Sequence, residues 1–324
     1  MSARPRVLLT RRWTAEVEQY LAERFDVTVN ESDTPLDAAA LTAAMQSQDA
    51  ICPTVTDRID RQVLAAPNRR VRLIGNYGVG FNHVDVEAAK EFGIRVSNTP
   101  DVLTDTTADL AILLMLMVSR RAGEGERELR EGRWTGWRPT HLMGQGLAGK
   151  TLGLIGFGRI AQSTARKARL GLDMRIAYNS RRRAAADVEA EHQATYFDSV
   201  DELVAACDVI SLHCPGGAST HHLISAERLR RMKSTALLIN TARGPVVDEA
   251  ALVEALSQGR IAGAGLDVYE QEPKVHPGLL ALDNVVLLPH LGSATRETRT
   301  AMGMRVAENL EAFFAGRPLR DPVV

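Results

Sequence analysis

Cysteine is scarce in this sequence, and long hydrophobic runs are missing from it. The 324 residues include three cysteines, Cys52, Cys207 and Cys214, whose spacing follows no disulfide pattern, so free thiols in a reducing compartment are expected. The longest apolar stretch, residues 110–118, is far shorter than a membrane span. The apolar residues 7–9 are too few for the core of a signal peptide. These features predict a cytoplasmic protein without a membrane segment.

An excess of charge of one sign is missing as well. Lys and Arg together number 39 and Asp and Glu together number 40, which gives a formal net charge of -1. Such a balance provides no general attraction to nucleic acid or to an anionic membrane, and neither is expected as a partner. The hydrophobic content of 45% is typical of a globular chain, and the length suffices for two domains of ordinary size.

Short strands alternate with helices over the first hundred residues. Strands are predicted at 7–10, 27–29, 50–52, 71–74 and 94–96, and helices at 14–24 and 36–45. Strands separated by helices form βαβ units, in which the strands lie parallel in one sheet. Residues 98–101 interrupt this pattern, and a long apolar helix is predicted from about Thr106 to Ser119.

A second alternation begins at residue 151. Strands are predicted at 151–155, 175–178, 209–212, 236–239, 265–268 and 285–288, and helices at 159–170 and 295–315. Before it, residues 123–149 are rich in glycine and charge and have no obvious core face. We expect this segment to be an arm that packs on another surface, such as a second subunit, through Trp134 and Trp137.

The glycine loop Gly156-Phe157-Gly158-Arg159-Ile160-Ala161 lies between a predicted strand and a predicted helix. In this context Gly156 permits a tight turn, and Gly158 allows the backbone to approach a pyrophosphate at the helix N-terminus. A plain strand-to-helix turn made of small residues is the alternative. The pattern favours a dinucleotide site. Together with the two alternations of strands and helices, the loop predicts an α/β fold of two doubly wound parallel-sheet domains. A Rossmann cofactor domain (101–287) is inserted into a flavodoxin-like substrate domain (1–100 and 288–324).

The end of the second strand in the cofactor domain bears on the choice of nucleotide. An acidic residue about 20 positions after the glycine loop would bind the ribose 2′-hydroxyl of NAD. The sequence there is Asn179-Ser180-Arg181-Arg182-Arg183, without a carboxylate, and Ser180, Arg181 and Arg182 are suited to a 2′-phosphate. NADP(H) is therefore the expected cofactor, and NAD(H) remains possible. A solvated basic helix start is the alternative, and the run is too short for a nucleic-acid site.

Three residues that follow predicted strands carry the chemistry of hydride transfer to a 2-oxo acid. His290 is suited to give a proton to a carbonyl oxygen, Glu272 to favour the charged imidazole, and Arg243 to bind a carboxylate. A structural histidine, a turn glutamate and a surface arginine are the respective alternatives. Their joint placement at three strand ends of one sheet favours a catalytic trio.

Two further clusters contain residues that could bind an anion or a metal ion. The loop Gly75-Asn76-Tyr77-Gly78-Val79-Gly80 lacks the dinucleotide spacing, but its backbone N–H groups are suited to a small anion, with a tight turn as the alternative. The group His213, Cys214, His221 and His222 matches no strong metal pattern, and no metal is expected.

At this point the chain resembles the D-isomer specific 2-hydroxyacid dehydrogenases over its full length. The fragments that carry the resemblance are Gly78-Val79-Gly80, Asn98-Thr99-Pro100-Asp101-Val102, Gly156 to Ala161, Leu212-His213-Cys214-Pro215, Asn240 to Gly244, Leu266-Asp267-Val268, Glu272-Pro273 and Pro289-His290. The resemblance implies that Arg243 binds substrate, that Glu272 pairs with the imidazole and that His290 is the acid–base group. It also implies that Val79 and Gly80 bind the substrate carboxylate.

The resemblance further implies a set of cofactor residues and a homodimer. Asp267 would lie near the nicotinamide. Apart from the resemblance, His141 would approach a neighbouring active site if the predicted arm crosses to a second subunit. The whole predicted cofactor set is Thr106, Gly156, Gly158, Arg159, Ile160, Ser180, Arg181, Arg182, Cys214, Pro215, Thr241, Asp267 and Gly292.

Within the family, the chain is most similar to glyoxylate/hydroxypyruvate reductases, through residues 101–108 and Ser180-Arg181. We therefore expect NADPH-preferring reduction of small 2-oxo acids. The sequence departs from the usual pattern at Ala161 and at Gly216-Gly217, and the regulatory domain of longer relatives is not expected after residue 324. Glu272 argues against the related formate dehydrogenases, which carry Gln there. The alternatives are an NAD-dependent dehydrogenase of another, bulkier D-2-hydroxy acid and a nicotinamide-sensing binding protein similar to corepressors.

Overall fold

A computed structural model describes residues 4–324, and the first three positions of the expected first domain, Met1 to Ala3, lie outside the described residues. The chain divides into two compact units. The first consists of the described part of Met1–Leu103 together with Ala294–Val324, and the second is Thr104–Ser293. Within residues 4–324, none of the helices has the length and apolar character needed to cross a membrane.

The elements alternate along the described chain. The strands are β1 (Arg6–Leu9), β2 (Asp26–Val29), β3 (Ala50–Cys52), β4 (Leu73–Gly75), β5 (Arg95–Ser97), β6 (Thr151–Ile155), β7 (Arg175–Asn179), β8 (Ala194–Tyr196), β9 (Val209–Leu212), β10 (Leu237–Asn240), β11 (Gly263–Leu266) and β12 (Val285–Leu287). The helices are α1 (Ala15–Ala22), α2 (Ala38–Ser47), α3 (Arg61–Leu64), α4 (Val86–Glu91), α5 (Thr104–Ser119), α6 (Ala122–Arg130), α7 (Arg159–Leu172), α8 (Ala186–His192), α9 (Val200–Ala206), α10 (Ala226–Arg231), α11 (Glu249–Ser257), α12 (Pro277–Leu280) and α13 (Arg296–Phe314).

The first unit is built on a five-stranded parallel sheet in the order β2-β1-β3-β4-β5. Strand β1 shows why helices cover both faces. Val7 and Leu9 pack in one hydrophobic cluster with α1 and α13, whereas Leu8 packs in another with α2, α3 and α4. Because side chains alternate between the faces of a strand, burial of all three requires a helix layer on each side. The strand order is the flavodoxin-like one, as expected.

The second unit holds a seven-stranded parallel sheet in the order β12-β11-β10-β9-β6-β7-β8. The order reverses between β6 and β9, which pair directly through Leu152↔Val209 and Ile155↔Leu212. In open parallel sheets, the crevice at such a reversal is where ligands bind. The two-domain α/β prediction is confirmed.

Some predicted elements differ from the observed ones. The edge strand β8 was not predicted, because Ala-Thr-Tyr contains no run of apolar residues and is only half-buried. The strand predicted at 265–268 begins and ends two residues earlier, as β11 (Gly263–Leu266), and includes the two glycines Gly263 and Gly265. A Cβ atom on Gly263 would lie 2.7 Å from Val118 Cγ1, so the small residues allow α5 to pack closely on the sheet.

The segment expected to be an arm without a core face contains a helix and a core residue. Residues 122–130 form α6, and Leu147 is buried in the core of the second unit. The sequence pattern missed α6 because its buried side chain is a glutamate. Glu128 Oε2 lies 2.9 Å from Nε2 of His141, so a polar pair rather than an apolar stripe attaches residues 131–141 to the helix.

The division between the units differs from the expected one at both junctions. Residues 101–103 belong to the first unit, and residues 288–293 belong to the second. The second difference has a clear cause, because the N–H groups of Leu288 and His290 donate to the carbonyl oxygens of Leu266 and Asp267. These bonds attach the segment after β12 to β11.

Candidate active site

The three predicted catalytic residues follow three neighbouring strands of the second unit. Strands β10, β11 and β12 are adjacent and parallel. Arg243 lies three residues after β10, Glu272 six after β11 and His290 three after β12. Because the carboxyl ends of parallel strands share one edge of the sheet, these loops are brought to one place.

The imidazole of His290 is bound to the carboxylate of Glu272. His290 Nδ1 lies 2.8 Å from Glu272 Oε2, and Glu272 Oε1 accepts the N–H of Tyr269 at 3.1 Å. With a proton on Nδ1 bound to the carboxylate, Nε2 is the ring nitrogen left for another partner. Burial acts to raise the pKa of Glu272, but the hydrogen bond and charge of His290, the N–H of Tyr269 and the charge of Arg243 outweigh it, and the pKa lies below its ordinary value.

The backbone at His290 is held in an unusual conformation. Its φ is +55°, in the left-handed region that non-glycine residues seldom adopt. The carboxylate of Asp267 accepts the N–H groups of Leu291 at 2.6 Å and Gly292 at 2.8 Å. The hydroxyl of Thr107 donates to the Gly292 carbonyl at 3.0 Å. These bonds fix the two residues that directly follow His290.

The hydrogen-bond partners of Asp267 were not evident from the sequence. The resemblance implied only a place near the nicotinamide. Both of its carboxylate oxygens are hydrogen-bonded to backbone N–H groups, and the residue is buried. Burial raises the pKa of Asp267 to about 6, against the opposing effects of these N–H groups and of His290.

The side chain of Arg243 lies against Gly216, and the side chain of Asn240 holds the backbone at residues 242–243. A Cβ atom on Gly216 would lie 2.9 Å from Cγ of Arg243, so the aliphatic stem lies against the Gly216 backbone. The side chain of Asn240 accepts the N–H of Ala242 and donates to the carbonyl of Arg243, both at 3.0 Å. Burial lowers the pKa of Arg243, while the charge of Glu272 opposes this. Gly216 thus makes room for the aliphatic stem of Arg243.

The glycine loop has the shape that a dinucleotide requires. Gly156 has φ +88°, and a Cβ atom there would lie 2.8 Å from the carbonyl carbon of His213. A Cβ atom on Gly158 would meet nothing within 4 Å, so that face of the loop is open. Gly158 precedes α7, and no side chain among residues 4–324 caps the helix, which suits the helix N-terminus to an anion.

Other predicted cofactor residues lie elsewhere in the second unit. Thr106 lies in the first turn of α5, and Cys214 and Pro215 follow β9. The hydroxyl of Thr241 is buried and has no hydrogen-bond partner within residues 4–324, which is costly for a polar group and suits it to bind a cofactor. With the open Gly158 face, this donor set fits a nicotinamide dinucleotide.

In the basic run after β7, one arginine is paired with a carboxylate and two are not. Arg183 donates to both oxygens of Glu189 at 2.9 Å and lies over the ring of Tyr196. Arg181 and Arg182 are exposed and form no ion pair with any residue in the described part of the chain. The hydroxyl of Ser180 donates to the carbonyl of Arg182 at 2.5 Å.

The histidines His213, His221 and His222 interact with groups other than a metal ion. His213 is 2.9 Å from the hydroxyl of Ser211, and burial lowers its pKa to about 4. His222 pairs with Glu270 and stacks on His221. Within residues 4–324, no three His, Cys, Asp or Glu residues are arranged to hold a metal ion.

The predicted anion loop belongs to the first unit. Val79 and Gly80 follow β4, and both are half-buried. Their N–H groups donate to no acceptor within residues 4–324.

Comparisons with known proteins show the family to which the chain is similar. The family described as D-isomer specific 2-hydroxyacid dehydrogenase, NAD binding domain, matches residues 112–292. Glyoxylate reductases from Thermococcus onnurineus and Thermofilum pendens are 44% and 46% identical, over 97% of this chain and 94% and 93% of their own lengths. The structure of an NADPH-dependent glyoxylate/hydroxypyruvate reductase from Sinorhizobium meliloti, in complex with NADP and malonate, is 38% identical with a TM-score of 0.88, covering 99% of this chain and 97% of that one.

Proposed function

Because this chain belongs to the D-isomer specific 2-hydroxyacid dehydrogenase family and is an NAD(P)-dependent oxidoreductase, we propose that it reduces small 2-oxo acids, glyoxylate and hydroxypyruvate first, with a preference for NADPH. The observation that carries the proposal is the 2.8 Å bond between His290 Nδ1 and Glu272 Oε2. This bond holds the ring so that Nε2 can serve a substrate.

The chain's own residues supply the proton and the substrate contacts. When bound, the reduced nicotinamide supplies a hydride to the carbonyl carbon. His290, protonated on both nitrogens, gives the Nε2 proton to the carbonyl oxygen, and a 2-hydroxy acid results. The Glu272 carboxylate stabilises the charged imidazole before that transfer. The Arg243 guanidinium binds the substrate carboxylate, since its planar fork matches two oxygens.

The preference for NADPH rests on the loop after β7. No carboxylate follows that strand to bind a 2′-hydroxyl or to repel a 2′-phosphate. Arg183 is neutralised by Glu189, whereas Arg181 and Arg182 carry exposed charges without an ion pair among the described residues. The Sinorhizobium meliloti relative, described as NADPH-dependent, supports the same preference.

A homodimer is part of the proposal. The second unit exposes large apolar side chains on α5, α6 and the segment that follows; they are Leu113, Leu116, Leu129, Trp134, Trp137 and Met143. Exposed apolar surface of this kind marks interaction sites. We assign it to contact with a second copy of the chain.

The test is a panel of initial rates with glyoxylate, hydroxypyruvate and pyruvate, each with NADPH and with NADH. The loss of nicotinamide absorbance reports turnover. We expect the fastest turnover with NADPH and with glyoxylate or hydroxypyruvate. Fast turnover with NADH alone would overturn the cofactor preference. Tight NADPH binding without turnover of any acid would favour the sensing protein instead.

A further inference from the structure

In the loop that follows β4, the carbonyl groups of Gly78, Val79 and Gly80 are held by hydrogen bonds from three residues of the first unit. The side-chain amide of Asn76 donates to the carbonyls of Gly78 at 2.9 Å and Gly80 at 3.1 Å. Asn98 Nδ2 donates to the Val79 carbonyl at 2.9 Å, and the N–H of Thr99 donates to that of Gly78 at 3.1 Å. Three consecutive carbonyls are therefore fixed toward the interior of the first unit.

The direction of these carbonyls determines the direction of the N–H groups. In a planar trans peptide, the C=O of one residue and the N–H of the next point to opposite sides. Because the Gly78 carbonyl is held inward, the N–H of Val79 points outward. Because the Val79 carbonyl is held inward, the N–H of Gly80 points outward as well. Two adjacent donors thus face away from their anchors, and successive N–H groups of this kind bind anions.

The orientation of the Asn76 side chain is itself fixed. Asn76 is fully buried, and its Oδ1 lies 2.8 Å from Nε2 of His83. Since both hydrogens of the amide face carbonyls, Oδ1 must be the acceptor, and His83 Nε2 must carry a proton. The reversed amide would place its oxygen against two carbonyl oxygens. His83 is anchored in turn, because its own carbonyl accepts the N–H of Ile59 at 2.9 Å.

We propose that Asn76, oriented by His83, is a positioning residue that aims the N–H groups of Val79 and Gly80 at the carboxylate of the 2-oxo acid. The inference rests on the proposed function and deepens it by naming the residues that orient two donors for the substrate carboxylate. Neither side chain touches the reacting atoms. Their effect is on the geometry of two donors, and it is largest for the carboxylate rather than for the carbonyl or the nucleotide.

The first test replaces Asn76 by Ala and measures KM for glyoxylate, kcat and the Kd for NADPH. We expect KM to rise about tenfold or more, kcat to fall less than about threefold, and the Kd for NADPH to stay unchanged, since the nucleotide residues lie in the other unit. Inhibition by oxamate, an analogue with the same carboxylate and no reducible carbonyl, should weaken by the same factor as KM.

Asn30 provides a matched control in the same sheet. It follows β2, and its amide donates to the carbonyls of Thr10 at 2.9 Å and Thr34 at 2.7 Å. Asn30→Ala removes the same kind of bonds from another loop of the first unit. It is expected to lower thermal stability without changing KM or oxamate inhibition.

The pair His83→Gln and His83→Leu tests the same orientation without altering Asn76. Gln retains a side-chain N–H for Asn76 Oδ1, so its KM should stay near the native value, whereas Leu should raise KM as Asn76→Ala does. Folded Asn76→Ala and His83→Leu proteins with native KM and native oxamate inhibition would overturn the inference. If the native enzyme itself reduces no 2-oxo acid, the proposed function fails and the inference with it, which is a different result.

Discussion

His290 Nδ1 and Glu272 Oε2 lie 2.8 Å apart, although the two residues belong to different loops of the second unit. The bond determines both the tautomer of the ring and its direction, because the proton on Nδ1 is committed to the carboxylate. Glu272 is itself held by the N–H of Tyr269, so its carboxylate cannot turn away freely. The orientation of the His290 ring therefore depends on the position of the Glu272 carboxylate.

Glu272→Gln is expected to lower kcat for glyoxylate by about ten- to a hundredfold. The amide keeps a hydrogen-bonding oxygen but lacks the charge that favours protonated His290. Steady-state rates across pH measure the effect, and His290→Ala provides the limit in which proton donation is lost. A Glu272→Gln enzyme with native kcat throughout the pH range would contradict the role given to the carboxylate.

The buried carboxyl of Asp267 predicts a pH dependence of stability. Its pKa is raised to about 6 in the folded chain by burial, above the value of about 4 that an unfolded chain gives it. The folded chain therefore binds the proton more tightly, and this contribution to the free energy of unfolding is full below about pH 4 and is lost as pH rises through about 6.

Asp267→Asn removes that contribution, since the amide does not titrate. Urea unfolding at about pH 5 and about pH 7 should show a smaller loss of stability between the two values in the variant than in the native protein. Equal losses in both proteins would show that Asp267 titrates near its ordinary pKa.

Gly216→Ala is expected to raise KM for glyoxylate by about tenfold, which corresponds to about 1.4 kcal/mol of lost binding. The added Cβ would lie 2.9 Å from Cγ of Arg243, near the base of the side chain, so the guanidinium must move. Gly146→Ala is the matched control, because a Cβ atom there meets nothing within 4 Å. An unchanged KM in Gly216→Ala would show that Arg243 adapts without cost.

Arg181→Ser is expected to raise KM for NADPH by about tenfold and to leave KM for NADH nearly unchanged. The reason is that Arg181 is exposed and has no ion pair within residues 4–324, so a 2′-phosphate is the partner assigned to it. NADH lacks this phosphate and is the internal control. Equal changes for both nucleotides would assign Arg181 to overall loop structure.

Leu113→Glu combined with Leu116→Glu is expected to convert the proposed homodimer into monomers. Both side chains are exposed on α5, at 45% and 38%, and charge would oppose their burial between two copies. Sedimentation velocity measures the state. Leu170→Glu on α7, where the side chain is 67% exposed, is the control that should leave the assembly unchanged. Monomers in the native protein would refute the proposed interface.

The sequence by itself determined the two parallel-sheet units, the glycine loop and the strand-end positions of Arg243, Glu272 and His290. These features depend on local spacing, since the alternation of apolar residues predicts a strand or helix wherever it occurs. Some elements that it missed or misplaced lack that signal. Strand β8 is short and half-buried, and α6 buries a glutamate; β11, which begins two residues before the predicted strand, is made mainly of glycine and alanine.

Only the tertiary structure decided which polar groups meet. Asp267 binds the loop after His290, Arg183 is neutralised by Glu189 while Arg181 is not, and Asn76 is oriented by His83. In the sequence each of these is one polar residue among many. A hydrogen bond depends on distances of about 3 Å and on the direction of single atoms, and these arise only when loops from separate strands are packed together.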